Sequence, residues 1–201
     1  MAVSAQQVQE LRRKTGAAVM DCKRALEETG GDVEGAATLL RKQGMERADA
    51  RMSRATTEGV VASYIHAGGR IGVLVEVNCE TDFVARTEEF QELARNLAMH
   101  IAAEQPRYVS QSEVPAEVVD SEKEVYRALA IKEGRPEKVL DRIVEGRLKK
   151  FYSEVCLMDQ AYVRDDQKTV SVVLKEAIAK VGENIAVRRF VRYQLGGEEQ
   201  G

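Results

Sequence analysis

Between Leu40 and Val73 the spacing of apolar residues changes from intervals of three and four to intervals of two. A helix packs through a stripe that repeats about every 3.6 residues, and a half-buried strand through every second residue. A chain that switches between these periods cannot be a pure helical bundle or a pure sandwich. The expectation is an α+β fold, helical first, with a small antiparallel sheet afterwards.

Three short helical patterns fill the first 45 residues. Val8 and Leu11 mark the first, which stops at Thr15-Gly16. Val19, Cys22 and Leu26 recur at i, i+3 and i+7 in the second, which ends at Gly30-Gly31. Val33, Ala36, Ala37 and Leu40 mark the third, with Asp32 placed to cap its start and Gly44 to close it. Together they describe a three-helix, ubiquitin-associated-like N-terminal bundle. Residues 45–57 lack an apolar stripe and carry Arg47, Arg51 and Arg54, so they read as a charged linker, with a helical conformation left open. The expected division is 1–56 for bundle and linker, and 57–201 for the remainder.

From Gly59 the β-branched residues alternate through Ile65, and Ile71, Val73, Val75 and Val77 alternate again after His66-Ala67-Gly68-Gly69-Arg70. This is a β-hairpin. Phe90, Leu93, Ala94, Leu97, Ala98 and Ile101 then mark a helix with one core face. Two long helical patterns follow back to back over about 116–156. Gly134 suits the left-handed stop of the first and Pro136 the first turn of the second, so a protruding antiparallel hairpin is expected. Its seam would use Val118, Val125 and Leu129 against Leu140, Ile143, Val144, Leu148, Phe151 and Val155. Residues 160–164 read as a short strand and Asp165-Asp166 as a turn. Val170, Val173, Leu174, Ala177, Ile178 and Val181 form a helical face, and Ile185, Val187, Arg189, Val191, Tyr193 and Leu195 alternate against Ala186, Arg188, Phe190 and Arg192 in a final strand expected to join the hairpin. The tail, 196–201, is expected to be loose.

Thirty Lys plus Arg against 33 Asp plus Glu give a net charge of −3, so no global basic field attracts phosphate backbones. Aromatic residues make up 5% and Trp is absent, leaving little material for stacking bases. Direct nucleic-acid binding is disfavoured and a protein partner is expected. Cys22, Cys79 and Cys156 are scattered and odd in number, which fits a reducing, cytoplasmic setting. No apolar run is long enough to span a membrane, and neither a membrane partner nor a leader is expected. With only His66 and His100 beside the cysteines, all far apart, no metal site and no catalytic residue is assigned. No cofactor is implied. Asp82-Phe83, just past a strand end, lies where binding loops concentrate. The plainer alternative makes Asp82 a helix cap and Phe83 a core plug. Met20 falls outside the 19/22/26 face and could fill a core gap or contact a partner.

Four ordered segments carry a resemblance: Leu11-Arg12 with Thr15-Gly16 and Met20-Asp21-Cys22-Lys23, then Val77-Asn78-Cys79-Glu80-Thr81-Asp82-Phe83-Val84-Ala85, Ile143-Val144-Glu145-Gly146-Arg147-Leu148, and Gly182-Glu183-Asn184-Ile185. Over essentially its whole length the chain resembles the bacterial elongation factor Ts family, in its short form. The resemblance implies a guanine-nucleotide exchange factor, not an enzyme, that acts on elongation factor Tu in its GDP-bound and nucleotide-free forms. It implies that Thr81, Asp82, Phe83 and Val84 intrude into the partner's nucleotide-binding domain and displace magnesium and phosphate contacts. Arg12, Val19, Met20 and Lys23 become contacts of the bundle, and His100 a contact of the core. Longer members repeat the core within one chain, so this single-copy form is expected to be a homodimer. The bundle taken alone would equally suit a protein-binding adaptor.

Overall fold

The computed structural model describes residues 3–197. Its elements run α1 (Ala5–Thr15), α2 (Val19–Glu28), α3 (Val33–Arg51), β1 (Glu58–Ile65), β2 (Ile71–Cys79), α4 (Asp82–Ala85), α5 (Glu88–Glu104), α6 (Ala116–Lys132), α7 (Glu137–Val155), β3 (Ala161–Tyr162), β4 (Asp165–Thr169), α8 (Val170–Val181) and β5 (Ile185–Gln194). The fold is α+β. Contacts divide the chain into two units: one takes the chain to Gly59 with Asn78–Arg86 and Leu174–Ala186, the other holds Val60–Val77, Thr87–Val173 and the chain from Val187 on.

In the first unit α1, α2 and α3 each pack on the other two. Leu11, Cys22, Ala25, Leu26, Ala36 and Leu40 are buried together. Two of the three helix starts are capped by a side chain. Ser4 and Gln7 form a reciprocal capping box on α1, and Asp32 accepts the Glu34 amide at the start of α3. Val19 departs from the expected stripe, since it is 48% exposed. A helical side chain leans toward the N-terminus, and for a first-turn residue that direction leads off the end of the core. α3 also runs past Gly44, where the sequence reading closed it, through to Arg51. Gly44 is kept small by α8, because a Cβ there would stand 3.2 Å from that of Ala179.

In the second unit the sheet order is β1-β2-β5. Gly68 and Gly69, at φ 87° and 67°, make the turn between β1 and β2, which side chains other than glycine would strain. β5 runs antiparallel to β2: Leu195 donates to the Arg70 carbonyl at 2.8 Å and Arg189 meets Glu76 at 2.7 Å, so partners advance in opposite directions. Val73, Val75 and Val77 are buried on the covered side. Along β5 the alternation changes phase. Ile185 and Val187 are buried, then Arg192, so the single uninterrupted alternation read from the sequence does not hold. Arg192 Nε donates to the Ala102 carbonyl at 3.3 Å, which places α5 on the covered side.

α6 and α7 form the expected hairpin, with Gly134 left-handed at φ 72°. Pro136 stands at the N-cap rather than in the first turn. The seam on α6 is rotated from the expected one. Val125 and Leu129 are 49% and 43% exposed, while Ala130 is buried and Val119 and Tyr126 pack toward Phe151 and Cys156. The bulky Tyr126, four residues before Ala130, defines the i, i+4 row that faces α7. Asp165-Asp166 opens β4 instead of forming a turn, and Tyr162 pairs with Asp165 across Val163-Arg164. Of the tail, Gly196 and Gly197 are described, Gly197 donating back to Gln194, and residues 198–201 lie outside the described residues.

Candidate functional site

The exposed corner at 81–84 is made by a helix of a single turn, too short to persist by itself. Thr81 caps it: the hydroxyl accepts the Val84 amide at 3.4 Å, and the Thr81 carbonyl accepts the Ala85 amide at 3.3 Å. The two faces of the turn differ sharply. Val84 and Ala85 are buried at 6% exposure each, whereas Phe83 is 80% exposed. The core-plug alternative for Phe83 is therefore overturned, and the cap is Thr81 rather than Asp82. Asp82, 60% exposed, pairs with Arg86 at 2.7 Å, one turn along. An acid and an aromatic ring are thus held side by side in water.

The turn is tied down from behind. Glu183 accepts two hydrogen bonds from Thr81, from the backbone N–H at 3.1 Å and the hydroxyl at 2.8 Å. The neighbouring Asn184, buried, donates its backbone N–H to Glu80 at 2.6 Å and its side-chain amide to the carbonyls of Met52 at 3.2 Å and Arg54 at 2.7 Å. Arg54 approaches the same Glu80 carboxylate at 3.5 Å. Cys79, fully buried, donates its thiol to the Thr81 carbonyl at 3.1 Å, and burial, then the nearby Glu183 charge, push that thiol up from its ordinary range. Sequence reasoning did not place Glu183 and Asn184 at this corner. The one signal was that their segment is among the four that carry the family resemblance, but no spacing rule links positions 102 apart.

The bundle residues singled out from sequence all lie at the surface of the first unit. Met20 is 62% exposed beside Val19, Arg12 is exposed on α1, and Lys23 stands near Glu27 at 3.8 Å. Asp21 on the same helix bonds Arg24 and, at 3.5 Å, Arg47; the Arg24 contact leads in holding its carboxyl below the usual range.

His100 is not a surface residue. It belongs to the second unit, is fully buried, and both ring nitrogens are engaged. The Val163 amide donates to Nδ1 at 3.2 Å, so the proton sits on Nε2 and is donated to Gln160 Oε1 at 3.0 Å. Gln160 in turn donates to the carbonyls of Glu104 and Glu154, and Tyr162 stacks on the ring at 5.9 Å. Burial lowers the imidazole pKa, which favours the neutral form this network requires. A helix face ending in a polar residue does not disclose this burial, because the partners of His100 lie 60 and more residues away.

Among the described residues, no group of three or more His, Cys, Asp or Glu side chains gathers to hold a metal, and no helix is long and apolar enough to cross a membrane. The three cysteines are free and buried.

The family model described as "Elongation factor TS" matches residues 4–197. The chain is 58% identical over 196 residues to "Elongation factor Ts" of Geobacter metallireducens, covering 98% of this chain and 91% of that one. It is 57% identical over 194 residues to the protein of that name from Caldanaerobacter subterraneus subsp. tengcongensis, covering 96% and 97%. The Anaeromyxobacter sp. strain K protein is 58% identical over 194 residues, covering 96% and 89%.

Proposed function

The chain belongs to the elongation factor Ts family, and on that premise we propose that it is a guanine-nucleotide exchange factor. It binds elongation factor Tu carrying GDP, promotes release of the nucleotide and holds the nucleotide-free form. The observation that carries the reading is Phe83, a ring left 80% exposed on a turn whose other face is buried. Burying such a ring contributes about 1.5 to 3 kcal/mol, which here is reserved for a complex.

An exchange factor works only through differential affinity: it binds the nucleotide-free partner better than the GDP-bound one, and GDP weakens its binding by the same ratio. The wedge formed by Thr81, Asp82, Phe83 and Val84 enters the partner's nucleotide-binding domain where magnesium and phosphate contacts must give way. Asp82 leaves Arg86 to do so at little cost, because an exposed ion pair is worth about 0.2 to 1 kcal/mol. A bias of about 10⁴-fold needs roughly 5.5 kcal/mol. Phe83 alone does not supply it. The bundle, through Arg12, Val19, Met20 and Lys23, shares the work, and His100 acts only by holding its corner of the core. No covalent step is involved. The open side of the sheet carries Val61, Ile65, Leu74, Val191, Tyr193 and Leu195, all exposed. Exposed apolar side chains on these strands suit a second copy of the chain, and the working form is a homodimer in the cytoplasm.

The exposed Val19 and Met20 would also serve an adaptor that binds some other protein through its bundle, but that reading leaves Phe83 without a role. The test is to add substoichiometric amounts of the chain to elongation factor Tu loaded with fluorescent GDP, with unlabelled GDP in excess. Accelerated, multiple-turnover release supports the proposal; release at the uncatalysed rate contradicts it.

A further inference from the structure

Thr81 has each of its polar groups engaged. Its N–H and hydroxyl donate to the two oxygens of Glu183, at 3.1 and 2.8 Å, and its carbonyl accepts from Cys79 and Ala85. A threonine hydroxyl has one proton and can turn it in any staggered direction. With that proton held by Glu183, a lone pair is left aimed at the Val84 amide, which is the bond that caps α4. The carboxylate therefore does more than anchor a loop: it fixes the hydroxyl rotor on which the one-turn helix depends. Glu183 lies beside Asn184, whose three hydrogen bonds to Glu80, Met52 and Arg54 fix the backbone it rises from.

We propose that Glu183 is a positioning residue for exchange: by holding Thr81 it presents Asp82 and Phe83 in one orientation, and so sets the maximal rate of nucleotide release rather than the affinity for the partner. This rests on the exchange-factor reading. Encounter through Arg12, Met20 and Lys23 does not involve the turn, whereas the wedge acts only after docking. Loss of its orientation therefore appears in kcat, while KM for the partner stays nearly constant. A glutamine has the right shape and the wrong chemistry. Its carbonyl can take one of the two protons from Thr81, but its amide then faces the other donor.

The test uses full-length Glu183→Gln and Thr81→Val, which removes the hydroxyl at nearly constant shape, together with the double variant. Native-state hydrogen exchange at the Val84 and Ala85 amides is read first, without any partner. Protection is expected to fall about tenfold or more in each variant, as for loss of a charge-assisted hydrogen bond, while amides of the buried α5 core keep theirs. GDP release from elongation factor Tu is then followed against factor concentration. The expected result is a kcat lower by about tenfold with KM changed by less than about twofold, and a double variant little worse than either single one. Unchanged protection at Val84 overturns the positioning role whatever the partner does. Wild-type protein that releases no GDP sinks the exchange-factor reading and the rate consequence with it. A raised KM at constant kcat would show that Glu183 serves binding rather than the release step, and additive losses that it acts independently of Thr81, and either overturns the proposal; Thr81→Val decides the matter if the Glu183 variant does not fold.

Discussion

Arg189 Nε donates to Glu76 Oε2 at 2.7 Å on the open face of the sheet, joining β5 to β2 among exposed apolar side chains. An exposed pair of this kind contributes at most about 1 kcal/mol, so it fixes register while the surrounding apolar area supplies affinity. The homodimer we propose should therefore depend on the apolar residues. Tyr193→Asp or Leu74→Arg is expected to give a folded monomer in sedimentation equilibrium at concentrations where the wild type is a dimer. A wild-type monomer at high micromolar concentration, with full activity, contradicts this.

The bundle should separate stability from binding. Leu26 is fully buried, and Leu26→Ala is expected to cost about 2 to 5 kcal/mol of the bundle's stability. Lys23→Ala and Arg12→Ala change exposed residues and should move stability by no more than about 0.5 kcal/mol. Both should nonetheless weaken binding to elongation factor Tu. Urea unfolding beside titration of the partner checks the pair of outcomes; equal affinities in the exposed-site variants would show those cations to be merely solvated.

His100 gives the chain an acid-sensitive corner. Its pKa is lowered from 6.5 by burial, so as the pH falls below that value the unfolded chain takes up a proton that the folded chain resists. Stability is then fully present above about pH 6.5 and declines as the pH falls toward the folded-state pKa, by at most about 1.4 kcal/mol per pH unit. His100→Gln, which does not titrate, is expected to be less stable at neutral pH yet flatter between about pH 6.5 and 5.5, above the carboxylate range. Parallel slopes in urea melts of the two proteins would mean that His100 does not carry this dependence.

Periodicity made the helices and the hairpin legible because burial on one side of an element leaves a local signature. α8 and α5 were readable from their apolar rows, and Gly68-Gly69 from the demands of a tight turn. What periodicity could not supply is which side of an element has company. Val125 and Leu129 sit at helical spacing but face water, because Tyr126 and Ala130 occupy the seam. Gly44 looked like a stop until Ala179 was found beside it. The same limit applied at the candidate site. Asp82 and Phe83 were visible in the sequence, but their exposure was not. The pairing of Thr81 with Glu183, and the burial of His100 by Gln160 and Val163, are long-range hydrogen bonds that leave no spacing behind.

The exposed ring at 83 is proposed to spend its burial on the partner and not on its own fold. Phe83→Ala should leave the urea midpoint nearly unchanged, whereas a buried ring such as Phe90, 1% exposed, should cost about 3 to 5 kcal/mol when truncated. The decisive measurement is the rate of GDP release from elongation factor Tu, by stopped flow, with Phe83→Ala, Asp82→Ala and the double variant at matched folded concentrations. Each single variant is expected to be impaired and the double variant worse, with all three as stable as the wild type to within about 1 kcal/mol. A Phe83→Ala protein that releases GDP at the wild-type rate per folded molecule would contradict it.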